Sequence, residues 1–134
     1  MNIRNIVIIT ASLVCAAFVA SCQESIEERC RRECMEYTKT KCPFPYDKYT
    51  TIDSLAFDVA SHTLIHYYTL KGEADNAGNL QTDKARNALL QELKNSTRTR
   101  LYKENGYSFR YIYHSQQNPE TVLLDILLKK EDYQ

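Results

Sequence analysis

The feature that most constrains this chain is at its start. An uncharged, mostly apolar run from Ile6 to Ala20 follows five residues that carry a single positive charge, Arg4. That order is the order of a secretory signal. As a helix the fifteen residues of the run would rise only about 22 Å, short of the roughly 30 Å of hydrocarbon that a permanent span must cross. Residues 1–21 are therefore expected to be a cleaved signal, and the remainder to fold outside the cytoplasm as one domain with one core.

The run ends in Val19-Ala20-Ser21-Cys22. This resembles the lipobox of bacterial lipoproteins, with valine where leucine is usual. The resemblance implies lipidation of Cys22 and a protein held to membrane by its N-terminal lipid, since the several acyl chains of a lipoprotein cysteine anchor stably where one chain does not. The competing expectation is an ordinary signal cut after Ala20 or Ser21. Gln23, where an aspartate would retain an enteric lipoprotein in the inner membrane, implies the outer membrane by the same resemblance. The acidic Glu24, Glu27 and Glu28 resemble the surface-export tethers of Bacteroidetes lipoproteins, so the lipid-anchored chain is expected to face the periplasm or the cell surface.

With Cys15 removed and Cys22 lipidated, three thiols remain: Cys30, Cys34 and Cys42. An oxidising compartment predicts one disulfide, with Cys42 as the common partner of either Cys34 or Cys30. Cys30 and Cys34 lie one helical turn apart, with Cβ atoms too distant for a bridge. A Cys-x3-Cys with one further cysteine and no neighbouring histidine does not make a structural zinc site. No metal and no cofactor are expected. The chain has 17 basic and 17 acidic side chains and the signal removes only Arg4. Near-neutrality argues against nucleic acid as a partner.

Residues 24–39 form a short charged helix with Ile26, Cys30, Cys34 and Tyr37 on one face, and residues 22–41 read as a lipidated tether ahead of an α+β domain at 42–134. Cys42-Pro43-Phe44-Pro45-Tyr46 blocks helix and sheet alike. Thr51 to Val59 alternates, with Leu55, Phe57 and Val59 on one face, and Thr63 to Leu70 resumes as a second strand, making a hairpin. Lys71 to Gln81 is a polar loop. A long helix begins at Thr82 or Asp83, with Ala85, Leu89, Leu93 and Leu101 near one face, an interruption at Asn95-Ser96-Thr97 and a stop at Gly106. Strands follow over 107–115 and 121–129. The expected fold class is α+β, a four-stranded antiparallel sheet of two hairpins with the long helix across one face, preceded by the short N-terminal helix.

The stretch from Cys42-Pro43 through the hairpin and helix, Gly106 to Tyr113, and Leu124-Asp125-Ile126 resembles small exported proteins and lipoproteins of Gram-negative bacteria, notably Bacteroidetes. The resemblance is one of pattern and order. It implies a fold and a compartment rather than an activity.

Catalytic chemistry finds little support, and no catalytic residue is expected. His62 and His66 have zinc-ligand spacing only on a helix, whereas their segment reads as a strand, which sets them roughly 13 Å apart. His114 and Ser115 point to opposite faces. The composition stands out in tyrosine, ten in all with no tryptophan. Tyr67 or Tyr68 with Tyr107, Tyr111 and Tyr113 could form one aromatic face suited to binding, or the same face could lie beneath the helix; Ser108, Arg110 and Asp125 would mark the solvent side. The function expected is a non-enzymatic, membrane-anchored envelope module whose partner is an envelope protein or cell-wall component. The alternative is a periplasmic inhibitor or immunity-type protein that uses the Lys71–Gln81 loop. An enzyme or redox protein using Cys30, Cys34 or His66 is a third.

Overall fold

A computed structural model describes residues 23–134; the expected signal and the expected lipidation residue Cys22 lie outside them. The first helix, α1 (Ile26–Lys41), starts where Ser25 and Glu28 cap each other reciprocally, the Ser25 hydroxyl accepting the Glu28 N–H and the Glu28 carboxylate accepting the Ser25 N–H. This satisfies two of the amides that every helix start leaves over. Its inner face is the expected one: Cys30 and Cys34 are buried, with Ile26 and Tyr37 packed beside them.

That burial corrects the expected domain boundary. Helix α1 is no tether. It lies on the second strand and contributes to the core, and Thr38 fastens it there: its hydroxyl accepts the Leu55 N–H at 2.9 Å and donates to the Leu55 carbonyl at 3.1 Å.

Five strands follow: β1 (Phe44–Pro45), β2 (Thr50–Asp58), β3 (Thr63–Leu70), β4 (Ser108–Ser115) and β5 (Val122–Leu128), in that spatial order. The proline segment that was expected to exclude sheet supplies β1, because a two-residue edge strand tolerates a missing donor. A bulge between Ile52 and Ser54 in β2 shifts the alternation by one residue, so Ile52 joins Leu55 and Phe57 in the core cluster. Val59 lies beyond the strand and is exposed.

The expected two antiparallel hairpins are also corrected. The sheet is mixed: β2–β3 and β4–β5 are antiparallel, but β3 and β4 run parallel, Thr63 opposite Ser108 through Leu70 opposite Ser115. The connection between them carries helices and is long enough to return the chain to the starting end of the sheet, as a parallel pair requires. The single long helix is two: α2 (Thr82–Asn95) and α3 (Arg100–Glu104). Asn95-Ser96-Thr97, poor in helix propensity, ends α2 outright. The freed carbonyls of Leu93, Lys94 and Ser96 are taken by the Lys103 ammonium at 2.6, 3.0 and 2.9 Å. Gly106, at φ 72°, closes α3 in the left-handed region that favours glycine. A last turn, α4 (Lys130–Tyr133), folds back so that the Tyr133 hydroxyl donates to the Tyr107 carbonyl at 2.7 Å.

All helices share one face of the sheet. Helix α1 packs over β2, while α2 packs near β5 and α4. The core between them and the sheet holds Phe109 and Leu128 at 0% exposure, with Leu64, Leu93 and Ile126. Among the described residues no helix is long and apolar enough to cross a membrane.

Candidate functional site

Helices α1 and α2 stand over opposite parts of the sheet and do not pack closely on each other. Between them the central strands are left as the floor of a cleft of about 740 Å³. The floor is Leu64, His66 and Tyr68 of β3 with Tyr111 of β4, flanked by Ile52 and Leu55; Cys30, Cys34 and Tyr37 form one wall, Leu93 and Tyr102 the other. Arg29, Glu33, Glu36, Glu92 and Arg98 stand at the rim. The volume lies within the roughly 300–1,000 Å³ of ligand sites, and the exposed lining is about as polar as it is apolar.

The parallel pairing of β3 with β4 builds the floor. It sets His66 opposite Tyr111 and Tyr68 opposite Tyr113, and their rings stack with centroids 4.8 and 4.6 Å apart. Burial pushes the phenols of Tyr68, Tyr111 and Tyr113 up, with neighbouring carboxylate and phenol charge adding to it. All three stay neutral at ordinary pH. Burial likewise holds His66 down to about 4, against a backbone hydrogen bond at Arg110 that favours its charge. Its ring is enclosed by protein atoms while one edge meets the cleft, and its Nδ1 is sealed without a partner. The Thr99 hydroxyl is the second sealed, unpartnered polar atom among the cleft residues. His66 is thus a neutral imidazole and a weak base at neutral pH.

Of the expected tyrosine face, Tyr68, Tyr111 and Tyr113 lie together on the helix side, and Tyr68 and Tyr111 form cleft floor. Tyr107 lies apart from them, stacked on His62 at 5.3 Å and Phe57 at 5.4 Å. His62 sits in the hairpin turn at φ 48°, with Nε2 3.4 Å from the Glu27 carboxylate, where it ties the start of α1 to the sheet. His114 points its Nδ1 at the Pro119 carbonyl. Arg110 pairs with Asp125 on the far face of the sheet, as the alternation required. The Lys71–Gln81 loop is held by side chains: the Tyr49 hydroxyl donates to Glu73, and Asp75 accepts the Gln117 N–H.

The thiols correct the expected bridge. Cys42 caps the end of α1, so helical rise sets it roughly 12 Å from Cys34 and 18 Å from Cys30, far beyond the roughly 4.4–6.8 Å that a disulfide spans between Cα atoms. All three are free thiols. The neighbouring Cys34 sulfur and burial push the Cys30 thiol up. Sequence reasoning missed Tyr102 and Glu33 altogether. The Tyr102 hydroxyl donates to Glu33 at 2.5 Å across the end of the cleft, and only the chain's return through α3 brings them together.

Residues 25–124 match the family model described as Domain of unknown function (DUF8479). The match covers most of the chain and crosses the boundary between α1 and the sheet, and the chain belongs to that family. No match is found among curated proteins by sequence. Solved structures share the fold at low identity. A protein of Pseudomonas aeruginosa described as secreted aligns with a TM-score of 0.65 at 10% identity, over 84% of this chain and 100% of its own. The pilotin EpsS of the Vibrio vulnificus type 2 secretion system aligns at 0.64 and 10%, over 81% and 91%. The type II secretion pilotin AspS of Vibrio cholerae aligns at 0.60 and 15%, over 79% and 90%.

Proposed function

We propose that this member of the DUF8479 family is an outer-membrane lipoprotein, anchored through Cys22, that acts without catalysis by holding a segment of another envelope protein in the cleft between α1 and α2. The observation that carries this reading is the cleft itself: neutral aromatic rings, two buried thiols and aliphatic side chains, open between two helices and rimmed by charge. Such a surface gains free energy by covering apolar area and orients its occupant through rim contacts. The fold shared with two secretion pilotins supports an envelope setting for a domain of this shape, and the lipobox resemblance supports the anchor. The chemistry of the cleft points the same way, since burial holds its one imidazole to a low pKa and so makes it a weak base.

Two measurements test the reading. Metabolic labelling with a fatty-acid analogue marks the wild type and not Cys22→Ala; equal labelling of both removes the anchor. Mild crosslinking followed by pull-down of the anchored protein from its own envelope recovers a partner that is lost when the cleft is filled by Leu55→Trp. Recovery unchanged in a folded Leu55→Trp variant places the partner elsewhere and overturns the cleft as the working surface.

A further inference from the structure

We infer that the cleft floor is a subsite for one aromatic side chain of the partner, carried on an extended segment and neighboured by a basic residue that meets Glu92. This rests on the reading that the cleft holds a partner segment, and it specifies the chemistry of that segment.

Width argues for an extended occupant. Helix α1 lies over β2 and α2 near β5, three strand spacings apart, or roughly 14 Å. Packed helices sit about 8–10 Å apart, so a third helix between these two would need roughly 16–20 Å. The gap suits a ring or an extended chain better than a helix.

The floor argues for an aromatic ring. His66 and Tyr111, and Tyr68 and Tyr113, already stack in offset pairs, and Cys34, Leu55 and Leu93 provide apolar walls. A further ring continues the same offset contacts, which add to what area burial alone supplies. Tryptophan and tyrosine are also the side chains that most often anchor protein interfaces.

Charge argues for a basic neighbour. Glu33 pairs with Arg29 at 2.8 Å and Glu36 with Arg32 at 3.3 Å, while Arg98 lies over the Tyr37 ring at 5.8 Å. Among the described residues Glu92 has no cationic partner; it meets only the Tyr46 hydroxyl. It is also the rim charge whose field reaches the floor, raising Tyr68, Tyr111 and Tyr113. A lysine or arginine beside the aromatic anchor would complete it.

The chain has no tryptophan, so a tryptophan ligand excited at the red edge of its absorption, where the ten tyrosines contribute little, can be read above the protein. The probes are N-acetyl-Trp-Lys-amide, N-acetyl-Trp-Glu-amide and N-acetyl-Ala-Lys-amide, titrated with the purified exported protein, in nanodiscs if it carries lipid, against a matched blank. The Trp-Lys probe gives a saturable blue shift, Trp-Glu binds about fivefold more weakly, and Ala-Lys fails to compete. Glu92→Lys, an exposed change that leaves the core untouched, reverses the order of the two tryptophan probes. Absence of saturable binding, equal competition by Ala-Lys, or an unchanged order in Glu92→Lys would each overturn the inference. The measurement needs neither lipid nor native partner, so its failure leaves the anchored-module reading to be judged by labelling and pull-down.

Discussion

The two faces of the sheet come from the same strands and differ in what covers them. On the helix side, Phe109, Tyr111, Leu124, Ile126 and Leu128 are buried. On the far side, alternate residues of the same strands keep their polar groups in lateral pairs: Arg110 with Asp125, Thr69 with Asp53 at 2.7 Å, and Tyr67 stacked on His114. One side gains stability from area removed from water, the other from pairs that water and salt weaken. A cleft persists on the covered side because two helices at its margins do not close over the middle.

If that contrast is right, substitutions on the two faces should differ in size by several fold. Phe109→Ala removes a side chain at 0% exposure and should cost about 3–5 kcal/mol in urea unfolding; a loss below about 1 kcal/mol would mean the covered face is not the core.

His66→Phe probes the same face through pH. The folded imidazole titrates near 4, below its usual 6.5. The unfolded chain therefore takes up the proton first as pH falls. The stability that neutral His66 contributes is complete above pH 6.5 and is lost between 6.5 and 4, up to roughly 3 kcal/mol. The variant should show a flatter stability profile across that window than the wild type, and parallel profiles would refute the burial of His66.

Tyr102→Phe deletes only the hydroxyl that bonds Glu33. A loss of about 1–2 kcal/mol is expected. Burial disfavours the Glu33 charge, but the Tyr102 bond and Arg29 outweigh it and hold its carboxyl below the usual range. Its contribution is present above the ordinary carboxylate pKa and disappears as pH falls through the lowered one, so the gap between variant and wild type should narrow in acid. On the open face, Arg110→Ala should cost less than about 1 kcal/mol and less again at high salt. A cost matching that of Phe109→Ala would erase the contrast between the faces.

The strand alternation at Leu55 and Phe57 and the tyrosine face of β4 were legible, because each is a local pattern; the weak point at Asn95 was legible as an interruption but not as the end of the helix. Cys30 and Cys34 were legible as one face of a helix, but whether that face met lipid, solvent or a sheet was not. The assignment of α1 to a tether and the bridge to Cys42 both failed for one reason: the sequence does not say that the helix continues to Lys41 and lies down along β2. The cleft was half legible. Tyr68 and Tyr111 could be picked out, whereas Tyr102, Glu33 and Glu92 come from separate segments that share no periodicity with them.

Local pattern in the sequence sets which residues share a face and where the two main helices start, and it places an apolar segment ahead of Cys22. Those follow from backbone geometry and side-chain spacing within a few residues. Only the tertiary structure decided that β3 and β4 run parallel, that Phe44–Pro45 joins the sheet and that two helices leave its centre open. These depend on contacts between segments tens of residues apart, where alternatives with the same local pattern differ only in how the whole core packs.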